Sequence, residues 1–206
     1  MIKVENVHVY NVVPAVYSAR NALNSWDKSD SDLATGTLGS ADLKLAMSLV
    51  TAGSDHSKFM RMIGISMDIT SHQMWWAEFD TYKVATVRNS CSKMHTIHVK
   101  AFEPDDFSHE GIDEVGGTTK TQFMNVLAEL EYLRQTFNRT QERKYWRAII
   151  ELLPSGYNLR ATVTLNYAVA RNQYHARKAH KLSEWVDYCR TLEGLPYAEL
   201  ITMEGR

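Results

Sequence analysis

The stretch MRMIGISMDITSHQMWWAEFDTYK, residues 60–83, sets the fold class because two periodicities meet inside it. Met60, Met62, Gly64, Ser66, Asp68 and Thr70 fall on one side, and Ile63, Ile65, Met67 and Ile69 on the other. That period of two is the mark of a strand with one buried face. From His72 onward the spacing of Met74, Trp75, Ala77, Glu78, Phe79 and Tyr82 is helical. A strand running directly into a helix predicts a mixed, α+β architecture: a central sheet covered by amphipathic helices.

On the N-terminal side, residues 2–13 alternate well enough for a strand, with Val4, Val7, Val9 and Val12 pointing inward. Pro14 suits the first turn of a helix through about Trp26, which the polar DKSDSD run ends. Ser40 and Asp42 are candidate caps for ADLKLAMSLVTAG, where Leu43, Leu45, Ala46 and Leu49 share a face and Gly53 stands at the stop.

On the C-terminal side, VATVRNSCSKMHTIHV returns to β-branched residues, and Glu103–Glu114 with the Gly116-Gly117 pair reads as a loop or lid. Residues 119–137 place Phe123, Val126, Leu127, Leu130, Leu133 and Phe137 at steps of three and four, which predicts one long amphipathic helix. RKYWRAIIELLPSG is a second helix, stopped by Pro154 and Gly156. A further segment runs from Asn158 to about His180. SEWVDYCRTLEG is a last helix with Ser183 as its cap and Gly194 as its end. No Pro/Gly/Ser-rich linker divides the chain, so a single domain over residues 1–206 is expected.

The chain carries 23 Lys and Arg against 24 Asp and Glu. That balance argues against long nucleic acid as a partner, since gripping a phosphate backbone needs surplus positive charge. No apolar run approaches the roughly 20 residues needed to span a bilayer, and MIKVENVHVYNVV lacks the build of a secretory signal. A soluble, cytoplasmic protein with no membrane partner is expected. Two cysteines, Cys91 and Cys189, are too few for a disulfide framework, and the eight histidines show no metal-ligand spacing. No metal site is predicted.

Two segments concentrate polar, charged and aromatic groups: Trp75–His95 and Arg160–His180. In the first, Lys83, Arg88 and Lys93 can neutralise phosphates, while Asn89, Ser90 and Ser92 offer neutral hydrogen bonds to a sugar or base. The second adds Arg171, Asn172, Gln173, His175, Arg177, Lys178 and His180. Either stretch taken alone also reads as solvated surface. There is no GxGxxG loop, no GxxxxGKS loop and no GxSxG turn. Any phosphate must therefore be held by side chains.

HQMWWAEFDTYKVATVRNSCSKMH resembles the signature stretch of the flavin-dependent thymidylate synthase (ThyX) family, Arg-His-Arg followed by a Ser and an Arg. Thr81, Tyr82 and Lys83 stand at the triple, Cys91 and Lys93 at the later Ser and Arg, and Glu78 at a nucleotide-contacting glutamine. A one-residue insertion would place Ser92 at the serine instead. ELLPSGYNLRATVTLNYAVARNQYHAR is similar to the family pattern of Leu-Pro, an aromatic, Asn opening a helix, and a closing Arg. In that register Asn166 is the helix-opening asparagine, Asn172 contacts the flavin, and Arg177 holds the pyrimidine nucleotide. His180 lies one position from a histidine near the flavin. A second nucleotide-binding arginine is replaced by Ile150, with Arg147 three residues earlier on nearly the same helical face.

The resemblance covers about residues 55–200. It implies a ThyX-like fold in a homotetramer, FAD as cofactor, NADPH and methylene-tetrahydrofolate as co-substrates, and a pyrimidine deoxynucleotide as substrate. The implied reaction is alkylation at the pyrimidine 5-position, as methyl or hydroxymethyl; a catalytically silent nucleotide-binding or structural relative is the alternative. Lysine at 83 cannot reproduce arginine's bidentate fork, while the flat ring of Tyr82 can stack on a flavin or serve as core packing. Cys91 is a candidate nucleophile if Arg88 and Lys93 stabilise its thiolate, or else a buried, inert thiol. Glu78 can accept hydrogen bonds from an exocyclic amine, which makes a cytosine nucleotide conceivable, or be an exposed helix charge.

Overall fold

The computed structural model describes residues 2–204. In chain order it contains β1 (Lys3–Tyr10), α1 (Val12–Ser18), α2 (Ser40–Thr51), β2 (Gly64–His72), α3 (Gln73–Phe79), β3 (Val87–Ser90) and α4 (Lys93–Thr96). There follow α5 (Glu110–Val115), α6 (Gly117–Thr140), α7 (Arg143–Leu152), β4 (Asn158–Asn166), α8 (Tyr167–Arg177), α9 (Ser183–Glu193) and α10 (Glu199–Thr202). The strands form one antiparallel sheet in the order β1-β2-β4-β3. The mixed helix-and-sheet class expected from residues 60–83 is observed. By internal contacts the chain divides into two compact units.

The first unit comprises Ile69–Asp80 and Asn89–Ala161, together with the first residues of the chain. Its core gathers Ile97, Phe102, Phe107, Leu127, Leu130, Leu133 and Ile149. The long helix is the one predicted, and its buried positions Leu127, Leu130, Leu133 and Thr136 follow the helical repeat. Glu131 accepts from both the Nε and an Nη of Arg134, from Gln135, and from the Phe102 backbone N–H. The segment before α5 is thereby tied to α6. Trp75, Trp76 and Phe79 are buried on α3, with ring centroids 5.0–5.4 Å apart.

The second unit comprises Val4–Asp68, Thr81–Arg88 and the chain from Thr162 onward. Ile63, Ile65 and Met67 are fully buried beside Val163 and Leu165, as the alternation requires. α8 and α9 add Tyr167, Ala170, Trp185, Tyr188 and Leu192 to this core. Arg171 donates to the backbone carbonyls of Ile201 and Met203, fastening the segment after α10.

Several local expectations are corrected. β1 stops at Tyr10 because Asn11 adopts a left-handed backbone (φ 66°), and Val12 opens α1 instead of extending the strand. The helix expected to reach Trp26 ends at Ser18 and gives way to two 3₁₀ turns, Ala19–Leu23 and Trp26–Lys28. α2 is capped by neither Ser40 nor Asp42: the Asp30 carboxylate accepts from the Ala41 and Asp42 N–H groups. Asp42 is itself fully buried on the 42/46/50 face and binds Arg20, Ser29 and Ser31. Residues 84–99 hold only the short strand β3, then α4, because the polar centre leaves few residues to pack a sheet face. Part of the expected Glu103–Glu114 loop is ordered as a 3₁₀ turn, Pro104–Asp106, and as α5. Ser183 is the first residue of α9, with Leu182 in the cap position.

Candidate functional site

In the second unit, a cavity of about 490 Å³ is lined by Arg61, Thr81–Ala85, Asn166, Ala168, Val169 and Asn172. The two segments singled out for their polar content therefore meet in one cavity. Local sequence explains each wall. The 3₁₀ turn Lys58–Arg61 leads into β2 and carries Arg61. The 81–85 connection follows α3, which stops at Phe79, and Ala85 holds a left-handed backbone (φ 59°) that folds this segment back. β4 ends where the Asn166 side chain accepts the Val169 N–H at 3.0 Å and starts α8. The cavity is thus bordered by the N-terminus of an 11-residue helix, whose backbone dipole favours an anion.

The electrostatics agree. Arg61 and Lys83 are exposed cations, and neither has a hydrogen-bond or ion-pair partner among the described residues. Among the described residues, no carboxylate lines the cavity. The volume lies within the roughly 300–1,000 Å³ typical of small-molecule sites. Uncommitted cations at a helix N-terminus, with amides and a tyrosine ring alongside, suit a planar ligand bearing phosphate.

Arg177 and Tyr82 are brought together although 95 residues apart: the guanidinium donates through Nε to the Tyr82 hydroxyl at 2.9 Å. One Nη lies 3.0 Å from His180 Nε2, and the guanidinium carbon lies 4.9 Å from the Trp185 ring centroid. The Leu182 nitrogen lies 3.1 Å from His180 Nδ1; a neutral imidazole accepts at one nitrogen, so the ring takes a hydrogen bond from either Arg177 or Leu182. The planar cation is therefore fixed by a phenol, an imidazole and an indole, a much more rigid mount than a free surface arginine has. Tyr82 is half-buried, and its ring is inclined at 62° to that of Trp185 with centroids 6.1 Å apart. Its hydroxyl is the arginine's partner. The Tyr188 hydroxyl nearby, pushed upward by burial, donates to Gln173.

The other expected residues divide by unit. Cys91, Ser92 and Lys93 line a cavity of about 380 Å³ in the first unit with Gln73, Ile150 and Leu153. Cys91 is exposed, which excludes the buried, inert reading; Cys189 is the buried thiol, pushed up to about 11 by burial. Asn89 and Arg88 are exposed on β3, and Glu78 is half-buried on α3; none lines either cavity. Arg147 is exposed and bound by Glu151 at 2.7 Å. Arg61 was missed by the sequence reading, since one basic residue inside a strand-like alternation carries no signal. Among the described residues, no group of three or more His, Cys, Asp or Glu could hold a metal ion, and no helix is long and apolar enough to cross a membrane.

No family model matches the sequence, and no curated protein matches it. Among solved structures the fold is similar to that of thymidylate synthase X (ThyX) from Helicobacter pylori crystallised with FAD and dUMP. One such structure has a TM-score of 0.72 at 17% identity, over 98% of each chain. Another, also with FAD and dUMP, has a TM-score of 0.71 at 17% identity, over 98% of this chain and 100% of that one. At this identity the likeness establishes a shared fold.

Proposed function

We propose that the protein binds FAD and a pyrimidine deoxynucleotide and alkylates the base at its 5-position, a reaction of the thymidylate synthase type. The observation that carries the reading is the carboxylate-free cavity at the start of α8, with its uncommitted cations Arg61 and Lys83. It occurs on a fold shared with ThyX structures that hold FAD and dUMP. The donor set fits a flavin: Arg61 and Lys83 would hold its phosphates, Asn172 a polar edge, and the half-buried Tyr82 one flank. Arg177, oriented by Tyr82, His180 and Trp185, would hold the nucleotide. When bound, the flavin supplies the hydride that completes a one-carbon unit drawn from methylene-tetrahydrofolate, and NADPH renews its electrons.

This chain's own residues bind and orient. The fixed plane of Arg177 reduces the entropy lost on gripping an oxyanion. Asn166 is largely committed to starting α8, so its contribution is the placement of that helix end. Cys91 and Ser92 remain nucleophile candidates, and Lys93 a phosphate contact, in the cavity they share. In this reading residues 1–206 act as one ThyX-like domain, assembled as a homotetramer.

A second reading, a silent nucleotide-binding relative, is favoured by one feature. Thr81-Tyr82-Lys83 replaces a triple containing two planar cations, and Arg147 is already paired with Glu151. The visible absorption spectrum of the purified protein separates the two, recorded with FAD and then with dUMP or dCMP under reducing conditions. Nucleotide-dependent reoxidation of bound flavin supports the enzyme and identifies its base. Bound flavin without it supports the silent relative, and no flavin binding removes both.

A further inference from the structure

The cavity of the first unit is lined by two groups of residues. The β3–α4 segment brings Ser90, Cys91, Ser92 and Lys93, whose side chains can all donate a hydrogen bond. The start of α3 and the C-terminal end of α7 bring Gln73 together with the apolar side chains of Ile150 and Leu153. Gln73 is half-buried and held twice by the turn after α7: its backbone N–H donates to the Ser155 carbonyl at 3.0 Å, and its side-chain Nε2 to the Pro154 carbonyl at 3.3 Å. A carbonyl oxygen accepts and never donates, so the amide cannot be turned around. Its Nε2 faces the protein. Oε1, which has no partner among the described residues, is left to the cavity. This wall therefore leads with one fixed acceptor beside apolar surface.

We propose that Gln73 reads the base of the nucleotide, and that this base is cytosine, in contrast to the uracil of the dUMP held in the ThyX structures. The inference rests on the reading that the chain takes a pyrimidine deoxynucleotide with Lys93 at its phosphate, and deepens it by naming the base. In such a nucleotide the sugar is joined at N1, and C4 lies directly across the ring from N1. With the phosphate end at Lys93 and the flat ring against Ile150 and Leu153, the 4-substituent is the group that meets Gln73. Cytosine carries an amine there, a donor; uracil carries a carbonyl oxygen, an acceptor. The amine donates to Oε1. The uracil oxygen would face a second oxygen and leave two partly desolvated acceptors unpaired, which costs about tenfold or more in affinity.

The test is equilibrium dialysis of dCMP and of dUMP against the whole chain in the presence of FAD, for the wild type, Gln73→Met, Gln73→Glu and Lys93→Ala. The wild type should bind dCMP about tenfold or more tighter than dUMP. Gln73→Met, close in shape but without the acceptor, should lose that preference, chiefly through weaker dCMP binding. Gln73→Glu keeps acceptor oxygens, so it should weaken both nucleotides through its charge and still favour dCMP. Lys93→Ala should lower both affinities by the same factor, since the phosphate is common to the two. Equal wild-type affinities, or tighter binding of dUMP, overturn the assignment. So does a preference that survives in Gln73→Met, or an unequal loss in Lys93→Ala, which removes the orientation of the nucleotide. Where Gln73→Met fails to fold, loss of the preference in Gln73→Glu overturns it alone. Wild-type protein that binds neither nucleotide refutes the underlying reading, and the choice of base with it.

Discussion

Replacing Glu131 by glutamine separates folding from ligand binding, because its partners all lie in the helical first unit. Hydrogen bonds from Arg134, outweighing burial and aided by Gln135 and the Phe102 N–H, lower its carboxyl from 4.5 to about 2. At about 1.4 kcal/mol per pH unit, that difference corresponds to an upper limit of about 3 kcal/mol. Glu131 keeps 24% of its side-chain exposure, so solvent screening reduces the expected effect to about 1–3 kcal/mol. The folded-state value is depressed, so the contribution is complete above about pH 4.5 and is lost as pH falls toward 2. Urea unfolding of wild type and Glu131→Gln at pH 7, 4 and 3 measures it. The wild type should lead by about 1–3 kcal/mol at pH 7, with the gap shrinking at pH 4 and again at pH 3. A gap that stays constant with pH would refute the electrostatic origin, and no gap at pH 7 would show that the network contributes nothing net.

Asp42→Ala leaves Arg20, only 7% exposed, without its carboxylate; about 3–5 kcal/mol should be lost, as read by the denaturant midpoint. Asn166→Ala removes the side-chain acceptor at the start of α8. The expected cost is about 1 kcal/mol in thermal or urea unfolding, accompanied by weaker FAD binding because the helix end frays. A thiol reagent should titrate Cys91 in the folded protein and Cys189 only after unfolding; full activity after selective alkylation of Cys91 would eliminate it as a nucleophile. Arg177→Lys should weaken dUMP binding about tenfold or more, followed through the flavin spectrum, since an ammonium cannot reproduce the planar fork held by Tyr82 and Trp185.

Elements with a strong local period were legible in the chain itself. The alternation of Ile63, Ile65, Met67 and Ile69 and the three-residue steps of Leu127, Leu130 and Leu133 appear in the structure as read, because burial of one face imposes its period directly. The start of α8 at Asn166 came from the family resemblance, since the residues by themselves left 158–180 as one undivided segment. Polar segments misled. Asp42 looked like a helix cap, but its buried partner Arg20 lies 22 residues away and outside any local pattern. Residues 84–99 looked extended from their β-branched content, which says little once a segment lacks a face to bury.

The candidate site was legible as composition and not as geometry. From residue types alone came the two polar segments, the lack of a glycine-rich phosphate loop, and the resulting need for side chains to hold an anion. Sheet register and the antiparallel return of β4 beside β2 decided what those residues do. They set Arg177 against Tyr82 and brought Arg61 to the cavity at the start of α8. They also put Cys91, Ser92 and Lys93 in a cavity of the other unit. Periodicity is a property of neighbours along the chain, so the sequence determines its elements. A site is made where distant segments pair, and that pairing follows from the packing of the whole core.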